Sequence, residues 1–477
     1  MSYTNEGASQ HEHSQNHAVE FFAKAGSLMK NRKQFYGNES SALDLFKQVW
    51  YAGNNVESMK LLFWLRDIRG GAGNRSGFED CIKWLAETDG GTEWVSSNIH
   101  LVPLHGRYKD LKALFGTDVE STVADMWSDK IVEEDGLACK WADRNDKPLL
   151  RALRKKGKVK DIGSFRRLLA LGRQNVVETK MCKGNWNEID YDKLPSVAMS
   201  RYTKAFEKHS PERFTSFKTA LEKGETTVNA GALFPHDCVR GVLNGDKVIA
   251  NSQFDALPNF LEGTNQRIMS IVDTSGSMGI KVSGDVSAWH ISTGLGLYCS
   301  DRLGPKNPFY RKFIQFCDEG KLTSWKDMTF AECYQNFGDY WSREKGLFNG
   351  AVGSTRIDKA LDSILSHAEM FEVSNEQMPT TLLIISDMQF TEGASTNVAP
   401  VEASMQKWEK AGYTRPKIVY WNTAGNAGTP ETALKNDVAL VSGFSPSVLK
   451  AVFAGEDMTP KGVMLKAIEK YNIVEPK

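Results

Sequence analysis

Seven cysteines lie scattered along 477 residues, odd in number and without a Cys-x-x-Cys pair. That spacing argues against a disulfide framework and against structural zinc, and fits a reducing compartment. No apolar run is long enough to span a membrane, and the amino terminus carries no hydrophobic signal. The expectation is a soluble, cytoplasmic protein with no membrane contact, or a virus-borne particle component of the same composition. Charge of one sign is also missing: 59 Lys and Arg balance 59 Asp and Glu. Any attraction to nucleic acid must therefore be local. There is no Gly-Lys-Ser/Thr phosphate loop, and no Ser-His-Asp or Cys-His set converges by motif. His290 and His367 read as core or helix-surface residues. No enzyme is expected.

What is present is room for two or three domains, with an ordinary 41% hydrophobic and 25% charged content. The most informative stretch is Arg267-Ile-Met-Ser-Ile-Val-Asp-Thr-Ser-Gly-Ser-Met278. Ile268 to Val272 has the length and β-branched content of a buried strand. It stops at Asp273, Ser275 and Ser277, with Gly276 and Gly279 freeing the backbone to turn. In an open α/β sheet, ligands gather where the carboxyl end of a strand meets its loop. A carboxylate and two hydroxyls at alternate positions suit a hard cation such as Mg²⁺ or Mn²⁺. A hydroxyl-rich turn that caps a helix without metal is the plainer alternative. An aspartic protease signature would need Gly directly after Thr274, and a haloacid-dehalogenase phosphatase a second Asp in place of Ser275.

Asp-x-Ser-x-Ser after a buried strand resembles the metal-ion-dependent adhesion site of a von Willebrand factor type A domain. Such a site needs oxygens from further along, and two segments offer them. Gly353-Ser-Thr-Arg-Ile-Asp358 opens a helical pattern with Thr355 at its start, and Thr381-Leu-Leu-Ile-Ile-Ser-Asp387 is a second buried-strand run ending in a carboxylate. The resemblance implies Ser275, Ser277 and Thr355 as direct ligands, with Asp273 and Asp387 as an outer pair acting largely through water. It also implies that the open coordination position accepts an Asp or Glu from a protein partner. The sequence departs from the family at Met388, where many relatives have Gly, and at Arg356, where an acidic or small residue is common.

Residues 1–17 are polar and read as a disordered tail carrying His11, His13 and His17. From Ala18 to about Leu261 the periodicity is helical, broken by short Gly or Pro punctuation. Within it, Trp64-Leu-Arg-Asp-Ile-Arg-Gly-Gly-Ala-Gly-Asn-Arg-Ser-Gly-Phe78 predicts a helix ending near Ile68 and a glycine turn into the next. Arg66, Arg69 and Arg75 surround that corner. They either hold a phosphate or pair with Asp67 and Glu79.

This corner is followed by Leu101-Val-Pro-Leu-His-Gly-Arg-Tyr-Lys-Asp-Leu111, Ile189-Asp-Tyr-Asp-Lys-Leu-Pro-Ser196, Phe206-Glu-Lys-His and Ala230-Gly-Ala-Leu-Phe-Pro-His236. In that order the motifs resemble a set of plant, fungal, bacterial and phage proteins distantly related to the Ro ribonucleoprotein autoantigens. The resemblance covers nearly the whole chain after the tail. It implies a helical-repeat (HEAT-like, TROVE-type) domain over 18–262, followed by a von Willebrand A-like, doubly wound, mostly parallel sheet over 263–477. It further implies binding of small structured or single-stranded RNA.

A local charge run agrees with that implication. Between Lys147 and Lys183 stand twelve basic residues, Lys155, Lys156, Lys158, Arg166 and Arg167 among them, against only Asp161 and Glu178. Phosphate backbones select such stripes, although a solvated helical surface has the same look. Phe165 is either a base-stacking aromatic or core. After the 244–264 connection, strands are expected at 312–317, 380–386, 417–422 and 438–442. Helices are expected at 286–303, 330–337, 355–371, 399–411, 448–453 and 463–471. Two functions follow: an RNA-binding scaffold whose A-like domain uses a divalent metal to engage a protein, or a protein–protein module without RNA, such as a phage virion component or adaptor. Oligomeric state is not legible in the sequence.

Overall fold

Helix caps set the local structure of the first half. The computed structural model describes residues 2–3, 9–10, 14–28, 41–263, 265–283, 286–339, 355–391, 400–425, 430, 435–454 and 458–476. Asn54, Asn74, Asp161 and Asp246 each accept a backbone N–H of the first helical turn, replacing hydrogen bonds that a helix start lacks. The apolar positions of the resulting helices close on one another. His17–Lys24, Ala42–Tyr51, Asn55–Arg66 and Arg75–Ala86 pack on their sequence neighbours, as do Glu120–Val132 and Lys147–Lys155 further on.

The second half is a sheet with helices on both faces. We label all strands in chain order. Two short pairs stand outside the main sheet: β1 (Ser2–Tyr3) with β2 (Ser9–Gln10), and β4 (Lys281–Ser283) with β5 (Val286–Ser287). The main sheet contains β3 (Ile268–Asp273), β6 (Lys312–Phe316), β7 (Gly320–Ser324), β8 (Thr381–Ser386), β9 (Lys417–Asn422) and β10 (Val438–Ser442). Its order is β10-β9-β8-β3-β6-β7, all parallel except the edge strand β7. The chain winds outward from β3 through β6 and β7, then restarts on the other side with β8. The crevice between the carboxyl ends of β3 and β8 is therefore the topological switch point.

Side-chain alternation divides the sheet between two cores. Met269, Ile271, Leu382 and Ile384 face the helices Ile357–Met370 and Pro400–Lys410. Ile268, Val272, Leu383 and Ile385 face the opposite way, toward the helix Ala288–Arg302. That second core continues without a break through Phe22, Trp64, Phe78 and Trp127 of the helical half. The 262/263 boundary read from the sequence thus runs through shared apolar packing, each fully buried aliphatic side chain contributing about 1.5–3 kcal/mol.

Both ends of the chain cross between the halves. Ser442 Oγ donates to the Phe22 carbonyl at 2.6 Å, and Ser27 Oγ donates to the Asn422 carbonyl at 2.6 Å. Thus the segment after His17–Lys24 closes the carboxyl ends of β9 and β10. At the other end, Tyr471 Oη and Lys470 Nζ each donate to Asp67 Oδ2 at 2.9 Å. Val474 and Asn98 exchange two further hydrogen bonds.

Three features differ from the sequence expectations. The antiparallel edge β7 was not anticipated, because its half-exposed Gly-Lys-Leu-Thr-Ser has no continuous apolar run. The helix expected from Val286 begins at Ala288, after Ser287 supplies its cap. Residues assigned to a tail include the β1–β2 pair, and His17 opens a helix; His11 and His13 lie outside the described residues.

Candidate metal centre and basic surface

β3 ends at Asp273 and β8 at Ser386, so the parallel register delivers Asp273 and Asp387 to the same edge of the sheet. Both are fully buried. Ser386 Oγ donates to Asp273 Oδ2, and the Ser275 amide donates to Oδ1 at 2.9 Å. The Gln389 amide donates to Asp387 Oδ1 at 3.2 Å. Burial, then the neighbouring charge of Asp387, raises the Asp273 carboxyl to about 7 despite those hydrogen bonds. Two carboxylates held together away from water call for a cation or a proton.

Three hydroxyls lie on the segments that lead to this edge. Ser275 and Ser277 Oγ lie 3.0 Å apart, the first buried and the second half-exposed at the mouth of the loop. Thr355 is fully buried, two residues ahead of the helix Ile357–Met370. Its carbonyl accepts the Thr391 amide at 3.0 Å, and the next amide, Arg356, donates to the Cys317 carbonyl at 2.9 Å. These bonds tie the Thr355 segment to the ends of β8 and β6, while the Thr274 amide ties the serine loop to Phe316 at 2.9 Å.

The two departures are accommodated. Met388 adopts φ 64°, the left-handed conformation that glycine takes without strain, and its buried side chain fills the core beneath. Arg356 pairs with Asp358, with Nε–Oδ1 and Nη2–Oδ2 at 2.8 and 2.6 Å. Burial pushes the Asp358 carboxyl up, but the bonds from Arg356 outweigh it and hold the carboxyl low. The set is therefore all hard oxygen, with the neighbouring guanidinium already neutralised, and it fits Mg²⁺ or Mn²⁺ by donor chemistry. Among the described residues no group of three His, Cys, Asp or Glu side chains could hold a metal. This set has two carboxylates and depends on hydroxyls for the rest.

In the basic stripe, Lys155, Lys158, Arg166 and Arg167 are exposed, as are Arg154 and Lys160. Lys156 is half-buried and bonds Asp129 Oδ1 at 2.6 Å. Phe165 is fully buried, so it is core and offers no stacking face. The glycine corner divides the three arginines named with it. Arg66 is 2% exposed and reaches Asp110 with Nη2–Oδ2 at 2.6 Å, so its guanidinium is withdrawn from the surface. Arg75 bonds Glu79 and Asp110 at 2.8 and 3.1 Å, and only Arg69 stands exposed. The glycines serve packing: a Cβ on Gly71 would lie 2.1 Å from the Trp64 carbonyl, and one on Gly73, at φ +73°, 2.5 Å from Phe234.

Comparison with known proteins divides the chain in a similar way. Residues 117–278 match the family model "domain of unknown function (DUF2828)", and residues 267–472 match "domain of unknown function (DUF7788)". The two meet across β3 and the serine loop. The chain is 24% identical over 485 residues to uncharacterised protein L728 of Acanthamoeba polyphaga mimivirus, covering 90% of this chain and 82% of the relative. The crystal structure of the Deinococcus radiodurans RO (RSR) protein is 12% identical with a TM-score of 0.48, covering 96% of this chain and all of that one.

Several residues that organise these sites escaped the motif reading. Ser386 looked like the end of a strand, yet its hydroxyl bonds the Asp273 carboxylate. Asp110, fully buried, gathers Arg66, Arg75 and Arg107. A lone carboxylate between Lys109 and Leu111 gives no warning that three arginines converge on it. No helix among the described residues is long and apolar enough to cross a membrane.

Proposed function

We propose that this chain is an RNA-binding scaffold whose α/β half holds a divalent cation and uses it to engage a protein partner. The observation that carries the reading is the pair of buried carboxylates, Asp273 and Asp387, at the switch point with Ser275 and Ser277 beside them. Ser275, Ser277 and Thr355 would hold Mg²⁺ or Mn²⁺ directly, and Asp273 and Asp387 would complete its shell. The bound cation would supply a positive centre to which an Asp or Glu of the partner adds. The residues themselves keep the site dry and shaped. Ser386 and the Ser275 amide orient Asp273, the left-handed turn at Met388 follows Asp387 directly, and Asp358 pairs with Arg356.

RNA binding is supported by the exposed cations at Arg154, Lys155, Lys158, Lys160 and Arg167 in a chain of zero net charge. None of Lys155, Lys158 and Lys160 makes an ion pair among the described residues. Freshly purified protein is expected to carry nucleic acid, seen as a raised 260/280 nm absorbance ratio that ribonuclease lowers. Reversing Lys155 and Lys158 to Glu should weaken RNA capture broadly across sequences and flatten its salt dependence. A protein free of RNA, with no salt-sensitive capture by filter binding, sinks the RNA half. A protein–protein module would then remain, a reading also favoured by the internal pairing of Arg66 and Arg75.

A further inference from the structure

Residues 143–146 connect the helix Gly136–Trp141 to the helix Lys147–Lys155. The Asp143 amide donates to Asp146 Oδ2 at 2.6 Å, and both carboxylates bind Lys112, with Asp146 at 3.1 Å. A cavity of about 590 Å³ opens at this turn, lined by Lys140, Arg144 and Arg173 together with Asp143, Asn145 and Asp146. Arg166 reaches its rim, bonding Asn145 Oδ1 at 2.6 Å and the Arg144 carbonyl at 3.4 Å. Arg173 donates Nε to the Leu169 carbonyl of its own helix at 3.0 Å. Lys140 is matched by Glu178 at 2.8 Å, but no carboxylate pairs with Arg144, Arg166 or Arg173 among the described residues. Burial and the nearby charge of Arg144 both disfavour the charged form of Arg173. Arg144 and Arg173 thus line the cavity and Arg166 reaches Asn145 beside it, while the two carboxylates of the lining, Asp143 and Asp146, are both engaged by Lys112.

The cationic surface does not stop at the cavity. Trp141, between the lining residues Lys140 and Ala142, has Arg107, Lys109 and Lys140 over its ring at 5.1, 6.0 and 5.4 Å. A free phosphate would need only the cavity. A continuous strip of cations with an indole in it suits a chain of phosphates carrying flat bases.

We infer that Arg144, Arg166 and Arg173 form a phosphate pocket for the backbone of a single-stranded nucleic acid, whose next nucleotides run past Trp141 toward Arg107. This rests on the RNA reading and gives it an address distinct from Lys155 and Lys158. The test uses full-length protein and two variants, R144Q/R173Q and K155E/K158E. R144Q alone is added as a substitution at an exposed side chain. Binding of a short fluorescein-labelled oligouridylate is measured by anisotropy across a salt series, and inorganic pyrophosphate is titrated separately. For R144Q/R173Q the expected result is about tenfold weaker oligonucleotide binding near 0.1 M salt, with a log–log salt slope shallower by about 1.4, the value for two lost phosphate contacts. R144Q should show about half that change in slope. If R144Q/R173Q binds like the parent while K155E/K158E is weakened, the pocket is refuted and the RNA reading stands. A parent that binds no oligonucleotide refutes both. Binding of pyrophosphate alone, lost in R144Q/R173Q, would make the cavity a free-anion site and overturn the assignment to a strand.

Discussion

Replacing Asp273 with Asn tests the metal centre without needing a partner. In metal-free protein the Asp273 carboxyl is raised from 3.8 to about 7 by burial and by Asp387. The folded state therefore holds this proton more tightly than the unfolded chain. Stability is fully present below pH 3.8 and falls as pH rises through 7. The shift is just over three units at about 1.36 kcal/mol each, so the ceiling is ~4 kcal/mol at pH 8, shared with Asp387. Asn removes the charge and keeps the Oδ1 acceptor for the Ser275 amide, while disturbing the Ser386 contact at a cost of about 1 kcal/mol. In a chelator at pH 8, D273N should thus be about 2–3 kcal/mol more stable than the parent, and the advantage should fade by pH 4.5. Millimolar Mg²⁺ should reverse the order, stabilising the parent and leaving D273N unmoved. Urea midpoints at both pH values, with and without Mg²⁺, decide the matter. A variant less stable than the parent at pH 8 in chelator, or an equal Mg²⁺ response in both, refutes the reasoning.

The remaining predictions concern the scaffold. Arg66→Ala strips a buried partner from Asp110, and because Arg75 and Arg107 remain near it, the loss should be about 3 kcal/mol, at the low end for a broken buried pair; a change within error of zero in the urea midpoint would contradict that. Tyr471→Phe removes one hydrogen bond to Asp67 and should cost about 1–2 kcal/mol. Protease nicking near the carboxyl terminus should speed up, and an unchanged pattern would place the joint elsewhere. Burial, then the charges of His236 and Arg240, depresses His290 from 6.5 to about 4. Its contribution is present above pH 6.5 and lost as pH falls toward 4, by up to about 3 kcal/mol. Asp273 titrates oppositely over the same range, so the loss should be read in the D273N background. A flat profile there counts against it.

The sheet half was legible because parallel strands buried on both faces are continuous apolar runs. Ile268 to Val272 and Thr381 to Ser386 announce themselves, and so do the oxygens at their ends. β7 was not legible, since an edge strand half in water needs no such run. The candidate metal ligands Asp273, Ser275, Ser277, Thr355 and Asp387 could be proposed from the sequence because their chemistry is local to three motifs. Which arginines stay on the surface could not be named. Arg66 and Arg69 look alike in sequence, and only the distant Asp110 buries one of them. Phe165 likewise carried no mark distinguishing core from platform. Nor could pattern alone show that Asp67 would meet Tyr471, some four hundred residues away.

The helix His17–Lys24 is followed by Gly26, whose amide donates to Ser442 Oγ at 3.2 Å, 416 residues further along the chain. Phe21 and Phe22 meet Phe46 and Trp64 early, but the contacts of their helix with β9 and β10 wait until those distant strands are made. Closing so long a loop comes before any reward from the contacts it creates. Maturation should accordingly be slow, governed by the arrival of β9 and β10, and a ribosome that stalls near residue 400 would leave the face of this helix that meets those strands uncovered.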